Sequence, residues 1–492
     1  MPLLPLDIPP GVYRNGTEFD QSGRWRDANL VRWRDGSLRP VGGWRTRVAT
    51  AYDQPPRGML AWEDLSGDRR IAAGTFNKLF STSASNVTTD ITPAGFTTGL
   101  VRSAAFTGYG GGFYGADTFG TERSDTGNFS EATTWALDNF GENLVACSSK
   151  DGKLYEWALD TGTPAAAISN APTGNLSLLV TAERFLFALG AGGNPRKVQW
   201  CDREANTTWT AAATNEAGDI ELQTSGQIMC GVQVRGQSLI LTDQDAHTAT
   251  YQGPPFVYGF ERVGQSCGIT SRKALVSVDA GAFWMGQNAF FTFAGGAVQE
   301  LPCDVADYVF GDLNRSQASL IHAVPLAQHG EVWWFYPSGG SNECNRYVAL
   351  DYAEGHWTIG TIERTAAVAR GVFKYPLWAD ASGNVYEHEV GLQHGDDAVF
   401  CESGPITIGT GENVMAVTSL IPDEGTQGDV TATFKTRFHP NGDEQTFGPY
   451  SMATPTDVRF TGRQVRMRIE AERLADWRVG VMRVEAFGGG RR

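Results

Sequence analysis

Short apolar segments separated by polar turns recur along most of the chain. Each repeat begins with an apolar segment ending in small residues, passes through a turn of glycine, asparagine or aspartate, and resumes with an aromatic segment. Alternating segments bounded by such turns predict β-hairpins. The seven copies lie at residues 71–80, 144–157, 185–200, 239–251, 283–293, 332–350 and 377–388.

The spacing of the repeats predicts how the hairpins are arranged. Their turns fall near residues 76, 151, 194, 245, 287, 340 and 382, so the first interval is 75 residues and the others are 42 to 53. A period of this length leaves room for two hairpins and is typical of four-stranded propeller blades. The Gly-His and Trp-Asp marks of WD repeats are absent, so the propeller prediction rests on spacing and alternation alone. An array of β-sandwiches is the alternative.

The pattern changes at both ends of the chain. Residues 1–56 alternate tryptophan and arginine with turn residues between prolines, which predicts an extended arm carrying a hairpin. Residues 396–492 contain longer strands, and residues 465–469 alternate apolar side chains with arginines. We therefore predict an all-β protein with an N-terminal arm at 1–56, a β-propeller at 57–395, and a C-terminal β-sandwich with one basic face at 396–492.

One helix interrupts the predicted strands. Asp304 precedes an apolar stripe at Val305, Val309 and Leu313, which predicts a helix capped by Asp304 and ending near Ala318.

Composition agrees with a β protein rich in turns. The chain has 59 glycines among 492 residues, and charged residues make up only 19%, which argues against helical bundles and coiled coils. The net charge is −15, but residues 1–50 carry +3 and residues 456–492 carry +4, so the part between them carries −22. Such an acidic body repels nucleic acid, whereas arginine-rich ends suit ion pairs with partner proteins.

The cysteines and the apolar segments indicate the cellular compartment in which the protein folds. The seven cysteines are at least 29 residues apart, which favours buried free thiols over disulfides or a zinc site. No apolar run approaches the roughly 18 residues of a membrane span, and the start of the chain does not resemble a signal peptide. We expect folding in a reducing cytoplasm and no membrane association.

Four sequence motifs could indicate chemistry, but each lacks its structural context. Residues 264–268 match a nucleophile elbow centred on Ser266, yet no predicted helix follows. Residues 110–115 match G-x-G-x-x-G without the required helix. His388 and His394 are six residues apart, which does not fit two ligands on one helical face, and Asp243, Asp245 and His247 fit a polar turn. We expect no catalytic centre, cofactor or metal.

The most specific remaining feature is the cluster of tryptophans and arginines near the N-terminus. Tryptophan and arginine dominate the energetic centres of protein interfaces, so these residues predict an assembly interface; simple strand packing is the alternative. The candidates are Arg24, Trp25, Arg26, Trp33, Arg34, Arg39, Trp44 and Arg45.

The chain resembles structural proteins of tailed bacteriophages at residues 23–47, at residues 135–146 with 151–157, and at residues 462–470 with 476–480. The chain is most similar to the tail nozzle, or packaged-DNA stabilisation, proteins of short-tailed phages. This resemblance implies a propeller-bearing subunit of a homo-oligomeric ring of six copies below the portal and adaptor, assembled in the host cytoplasm and located in the virion tail. Such a ring would retain packaged duplex DNA and pass it at ejection without reading its sequence.

Two other functions remain open at this stage. A host-surface carbohydrate-binding propeller of the tail would place aromatic and acidic residues on one blade face. A propeller hydrolase would need a pair of carboxylates in a cleft.

Overall fold

The computed structural model describes residues 3–105, 129–407, 413–440, 442–472 and 474–489. The first five strands precede the repeats and belong to four different sheets. They are β1 (Leu3–Leu6), β2 (Trp25–Asn29), β3 (Val31–Arg34), β4 (Ser37–Pro40) and β5 (Trp44–Val48).

Six four-stranded antiparallel sheets follow in chain order, each built from consecutive strands. Blade 1 contains β6 (Met59–Glu63), β7 (Arg69–Gly74), β8 (Leu79–Ser83) and β9 (Thr88–Asp90). A two-stranded sheet, β10 (Ala104–Ala105) and β11 (Phe129–Ser130), lies between blades 1 and 2 in the chain. Blade 2 contains β12 (Trp135–Phe140), β13 (Asn143–Ser148), β14 (Leu154–Trp157) and β15 (Ala166–Ala167).

The next four blades continue the same order. Blade 3 contains β16 (Ser177–Val180), β17 (Leu186–Leu189), β18 (Lys197–Trp200) and β19 (Gly218–Glu221). Blade 4 contains β20 (Ile228–Val234), β21 (Gln237–Thr242), β22 (Asp245–Gly253) and β23 (Val257–Gln265). Blade 5 contains β24 (Leu275–Val278), β25 (Gly281–Met285), β26 (Phe290–Ala294) and β27 (Ala297–Leu301). Blade 6 contains β28 (His322–Leu326), β29 (Glu331–Tyr336), β30 (Arg346–Asp351) and β31 (His356–Thr361).

Blade 7 is closed by a strand from the N-terminal part of the chain. Its inner strands are β32 (Ala366–Val368), β33 (Leu377–Ala379) and β34 (Val385–His388), and β5 pairs with β34 as the outer strand. The first strands of the seven blades contact one another in a closed ring, in which β32 also contacts β6. The fold is therefore a seven-bladed β-propeller, and each predicted turn lies between the second and third strands of one blade.

The strands of the C-terminal part form two sheets that pack face to face. They are β35 (Phe400–Ser403), β36 (Met415–Ile421), β37 (Val430–Arg437), β38 (Gln445–Ser451), β39 (Thr456–Gly462), β40 (Gln464–Ala471) and β41 (Met482–Gly488). One sheet has the order β1-β41-β36-β39 and the other β2-β35-β40-β37-β38. Phe434 and Phe460 meet between them with ring centroids 4.8 Å apart, so the unit is a β-sandwich.

The prediction of a separate extended arm at residues 1–56 needs correction. The predicted hairpin exists as β3 and β4, but β1 and β2 each join one sheet of the sandwich and β5 joins blade 7. The physical reason is that each of these strands covers a sheet edge whose backbone N–H and C=O groups would otherwise lack partners. The N-terminal residues are thus part of both folded units.

Buried tryptophans connect neighbouring blades. The indole N–H of Trp135, which begins β12, donates to the Thr75 carbonyl of blade 1 at 2.7 Å, and Trp334 of β29 donates to the Ala274 carbonyl at 3.0 Å. Both rings are fully buried. Trp135 packs so closely on Gly74 that a Cβ there would lie 2.3 Å from the ring. Indole rings therefore fill the wedge between blades while satisfying backbone carbonyls.

The predicted helix is shorter than expected. The structure has α1 (Ala306–Asp312), whose N-cap is Val305, and then a 3₁₀ segment at Arg315–Leu320. Asp304 does not cap the helix because its carboxylate pairs with Arg24 at 3.2 Å. The seven cysteines are free thiols, as predicted, and all but Cys303 are buried. Within the described residues, no helix is long and apolar enough to cross a membrane.

Candidate functional site

The two earlier tryptophans of the predicted interface are buried in the chain itself. Trp25 of β2 is 6% exposed and Trp33 of β3 is 3% exposed. Their ring centroids are 6.3 Å apart, and Trp33 also packs edge-on against His356 of blade 6 at 5.8 Å. For these two residues the structure agrees with strand packing, because a buried ring has no surface left for a partner. Trp44 is partly buried at the outer edge of blade 7.

The predicted arginines divide into paired and exposed side chains. Arg26 pairs with Glu18 at 2.6 Å, and Arg24 pairs with Asp304 as noted above. Arg45 pairs with Glu387 at 2.7 Å but its side chain is 62% exposed. Arg34 is exposed at the β3–β4 turn, and Arg39 is partly buried. Of the eight predicted residues, Arg34 and Arg45 therefore offer the most surface to another molecule.

The basic face predicted for the sandwich is wrong, because acidic side chains neutralise it. Arg466 pairs with Glu444 at 2.5 Å, and Arg468 pairs with Glu470 at 2.9 Å. Lys435 on the adjacent strand pairs with Glu402 at 2.8 Å. Residues 465–469 do alternate as predicted, with the apolar side chains buried between the sheets. Sequence alternation located these arginines but not their partners on other strands.

Sequence reasoning missed the ion cluster that joins the N-terminal hairpin to blades 6 and 7. Arg32 of β3 is 8% exposed and contacts Glu331 at 2.9 Å and Glu389 at 2.8 Å. Glu389 also lies 3.2 Å from His329. Burial alone would raise the pKa of Glu389, but Arg32 and His329 hold it well below its usual range. No local signal marks this cluster, because its members are about 300 residues or more from Arg32 in sequence.

A polar cavity of about 180 Å³ lies on the axis of the propeller, where the first strands of five blades begin. Arg57 on its wall is neutralised by two 2.8 Å contacts to Glu343. Burial lowers the pKa of His322 to about 4, so this imidazole is neutral at pH 7. Burial also lowers the pKa of Lys273 to about 8, although Cys230 and Asp138 partly oppose the shift. The cavity thus keeps one ammonium group at neutral pH and can hold a small polar ligand.

A second cavity, of about 390 Å³, lies at the outer edge of blade 7 beside the start of the sandwich. Its wall includes Trp44, Arg364, Tyr386 and His394. Arg364 is 5% exposed, and its Nε donates to Nε2 of His388 at 3.0 Å. Sequence analysis considered His388 and His394 only as metal ligands, whereas the structure places both rings within 5.5 Å of Trp44.

The other sequence motifs lie in strands and turns that do not provide the structural context of a catalytic site. Ser266 lies in the turn between β23 and β24, so strand follows strand there instead of the strand-to-helix turn of a nucleophile elbow. The polar turn predicted for Asp243, Asp245 and His247 holds only for Asp243, because β22 begins at Asp245. His247 contacts Asp245 at 3.1 Å, and both are buried in this strand. Residues 110–115 lie outside the described part of the chain.

Asp351, Glu354 and His356 have ligand atoms within 4.8 Å of one another, a grouping that sequence analysis did not single out. Asp351 Oδ1 already accepts the backbone N–H groups of Ala353 and Glu354, so we interpret this group as part of the β30–β31 turn.

No family model matches the sequence, and no curated protein matches it. Among solved structures, the chain is similar to virginiamycin B lyase from Staphylococcus aureus, with 9% identity over 70% of this chain and 98% of that chain and a TM-score of 0.43. A streptogramin B lyase has 8% identity over 68% and 93%, with a TM-score of 0.39. PorZ, a surface component of the type-IX secretion system of Porphyromonas gingivalis, has 9% identity over 76% and 44%, with a TM-score of 0.38.

Proposed function

We propose that this protein is a structural subunit of a bacteriophage tail, in a nozzle or tail-hub ring that extends the DNA channel below the portal and adaptor. The proposal combines the resemblance of three sequence segments to phage tail proteins with the propeller fold, since the resemblance implies a propeller-bearing subunit. In this role the subunit retains packaged DNA and lets it pass at ejection.

The observation that carries the proposal is the distribution of charge over the two folded units. The segment 44–395, which contains the strands of the propeller and its closing strand, has 23 lysines and arginines against 36 aspartates and glutamates, a net charge of −13. The remaining residues, mostly in the sandwich, carry −2. A ring whose propellers border the channel would repel the phosphate backbone and leave the DNA free to slide.

Several features of the sandwich support its role as the assembly side. Five of the exposed large apolar side chains lie on this unit or the N-terminal residues packed with it, namely Leu3, Phe19, Phe438, Leu474 and Val481. The four others, Leu65, Val87, Phe129 and Phe256, lie in the propeller part of the chain. A contiguous exposed apolar patch marks a protein contact, whereas single exposed side chains are common on any surface. Arg34, on the hairpin beside them, is exposed as well. We therefore propose that copies contact one another mainly through the sandwich.

Electron microscopy and sedimentation velocity of the purified full chain test this function. We expect closed rings with a central opening and a mass that is a multiple of 53.2 kDa, six copies being the expected number. Duplex DNA should bind weakly and without sequence preference at physiological salt. A chain that stays monomeric even with purified portal and adaptor present, or that binds one DNA sequence at nanomolar concentration, would overturn the proposal.

A further inference from the structure

Arg364 is a buried cation whose hydrogen-bonding capacity is only partly used. Its Nε donates to His388, and its Nη1 donates to the Glu363 carbonyl at 2.6 Å. Its Nη2 is buried and has no hydrogen-bond partner among the residues that the structure describes. Burial lowers the pKa of Arg364 to about 10, yet the group stays charged at neutral pH. The charges of Asp380, Asp397 and Glu363 favour the charged form, but none of these carboxylates accepts a hydrogen bond from Nη2. A buried charge with unused donors is costly unless a hydrogen-bonded anion accompanies it.

The surroundings of Arg364 form a built pocket. The rings of Trp44 and Tyr386 lie 5.1 Å and 4.7 Å from the guanidinium carbon and hold the group in place. The cavity that Arg364 lines has a volume of about 390 Å³, enough for a small organic group. Trp44 belongs to the closing strand β5, so the pocket exists only when the propeller is closed.

A buried histidine lies on the same wall. His394 is 3% exposed, and its Nε2 lies 3.0 Å from the Val41 carbonyl, to which it donates. The backbone of Leu392 is a further hydrogen-bond partner of this ring. Burial lowers the pKa of His394, so the imidazole is neutral at pH 7 and adds no second positive charge to the pocket.

The acidic residues around the pocket restrict which anion fits. Glu363 and Asp397 also line the cavity, and both are exposed. Their negative charges oppose phosphate, which carries up to two charges, and oppose a nucleic-acid backbone more strongly still. A planar carboxylate with one charge matches the fork of a guanidinium and meets the least repulsion.

We propose that the pocket of Trp44, Arg364, Tyr386 and His394 binds one monocarboxylate group, with its oxygens on the free donors of Arg364. The carboxylate comes either from an acidic side chain of a second copy of this chain or from a free small molecule. The burial and contacts of Arg364 support carboxylate binding whether or not the protein acts in a phage tail.

Equilibrium dialysis with radiolabelled acetate tests the site on the full chain. We expect one saturable site per chain with a millimolar dissociation constant, competition by formate, and little competition by phosphate at the same concentration. Arg364→Met should weaken acetate binding at least tenfold, whereas Arg370→Met should not change it. Arg370 is a matched control because it is exposed on the same blade.

Thermal unfolding of the same variants shows whether loss of binding reflects misfolding. Because Arg364 is charged and incompletely paired without a ligand, Arg364→Met should keep a cooperative transition whose midpoint lies within a few degrees of the parent chain. Acetate should raise the midpoint of the parent and of Arg370→Met but not that of Arg364→Met. Absence of saturable binding to the parent, equal binding by Arg364→Met, or equal competition by phosphate would overturn the proposal.

Sedimentation velocity distinguishes the two sources of the carboxylate. If a second copy provides it, Arg364→Met and excess acetate should both weaken self-association. If self-association is unchanged while acetate still binds, the ligand is a free small molecule. Failure of ring formation with intact acetate binding would count against the tail function alone.

Discussion

Single side chains in this protein form hydrogen bonds and ion pairs with residues that lie far away in sequence. The Trp135 indole bonds a carbonyl 60 residues earlier, and Arg32 pairs with carboxylates about 300 residues later or more. Such contacts hold blades and units together where short backbone connections do not.

The indole of Trp135 should contribute to stability through its N–H as well as its size. Trp135→Phe removes the donor and leaves the buried Thr75 carbonyl without it, so the free energy of unfolding in urea should fall by about 1–3 kcal/mol beyond the loss of volume. Trp378→Phe is the control, because Nε1 of Trp378 is buried without a partner in the part of the chain that the structure describes. Equal losses for both variants would show that the hydrogen bond contributes nothing.

The ion cluster of Arg32 predicts how stability depends on pH. The pKa of Glu389 is lower in the folded protein than its ordinary value of 4.5. Its ion pairs therefore stabilise the fold above about pH 4.5 and stop doing so as the pH falls towards the lowered value. Chemical unfolding at pH 6 and pH 3 should show that Glu389→Gln lowers stability at pH 6 and reduces the difference between the two pH values.

The comparison for this measurement is Glu63→Gln, since Glu63 lies on the surface in a pair with Arg69. Surface pairs contribute about 0–1 kcal/mol, so this variant should follow the parent chain at both pH values. If the stability of Glu389→Gln depended on pH as strongly as that of the parent chain, Glu389 would not be the cause of this pH dependence.

At the scale of elements, the seven internal hairpins could be predicted from sequence because their information is local. The turns at Asp151 and Asn194, for instance, combine a turn residue with flanking apolar strands that pair directly across them. The placement of β5 could not be predicted, since its partner β34 lies about 340 residues later in the chain.

The candidate functional residues were likewise predictable only where the sequence marks them locally. Trp and Arg side chains near the N-terminus could be recognised as unusual, but whether Trp33 faces a partner or His356 depends on packing that no local pattern encodes. Arg364 has no motif around it and becomes notable only once its burial and its free Nη2 are known.

Deleting residues 1–50 should unfold the protein and not merely prevent assembly. The deletion removes the outer strand of blade 7 and one strand from each sheet of the sandwich. We expect an aggregated product, or one with no cooperative thermal transition, and partial recovery when a peptide of residues 1–56 is added during refolding. A soluble, cooperatively unfolding chain of residues 51–492 would restore the hypothesis of a separate assembly arm.

At the scale of the whole molecule, an acidic propeller and a nearly neutral sandwich make self-association sensitive to salt. If sandwiches meet while propellers of net charge −13 lie side by side, repulsion between propellers opposes the ring. The Debye length falls from roughly 30 Å at 0.01 M salt to about 8 Å at 0.15 M, which screens this repulsion.

Sedimentation velocity over this range of sodium chloride should therefore show tighter association at the higher salt concentration. Sucrose at matched viscosity controls for changes in the medium. Rings that dissociate as salt rises would instead indicate that attraction between opposite charges holds the copies together.

The closing of blade 7 by β5 also determines when the protein can finish folding. During synthesis the N-terminal strands leave the ribosome first, but the partners of β1 and β5 are made hundreds of residues later. Pairings of such long sequence separation are slow to form, and until then the early strands have exposed edges that favour aggregation. The nascent chain must therefore keep β1, β2 and β5 without their partner strands through almost the whole of translation, so its yield in a cell should depend on chaperones and on growth temperature.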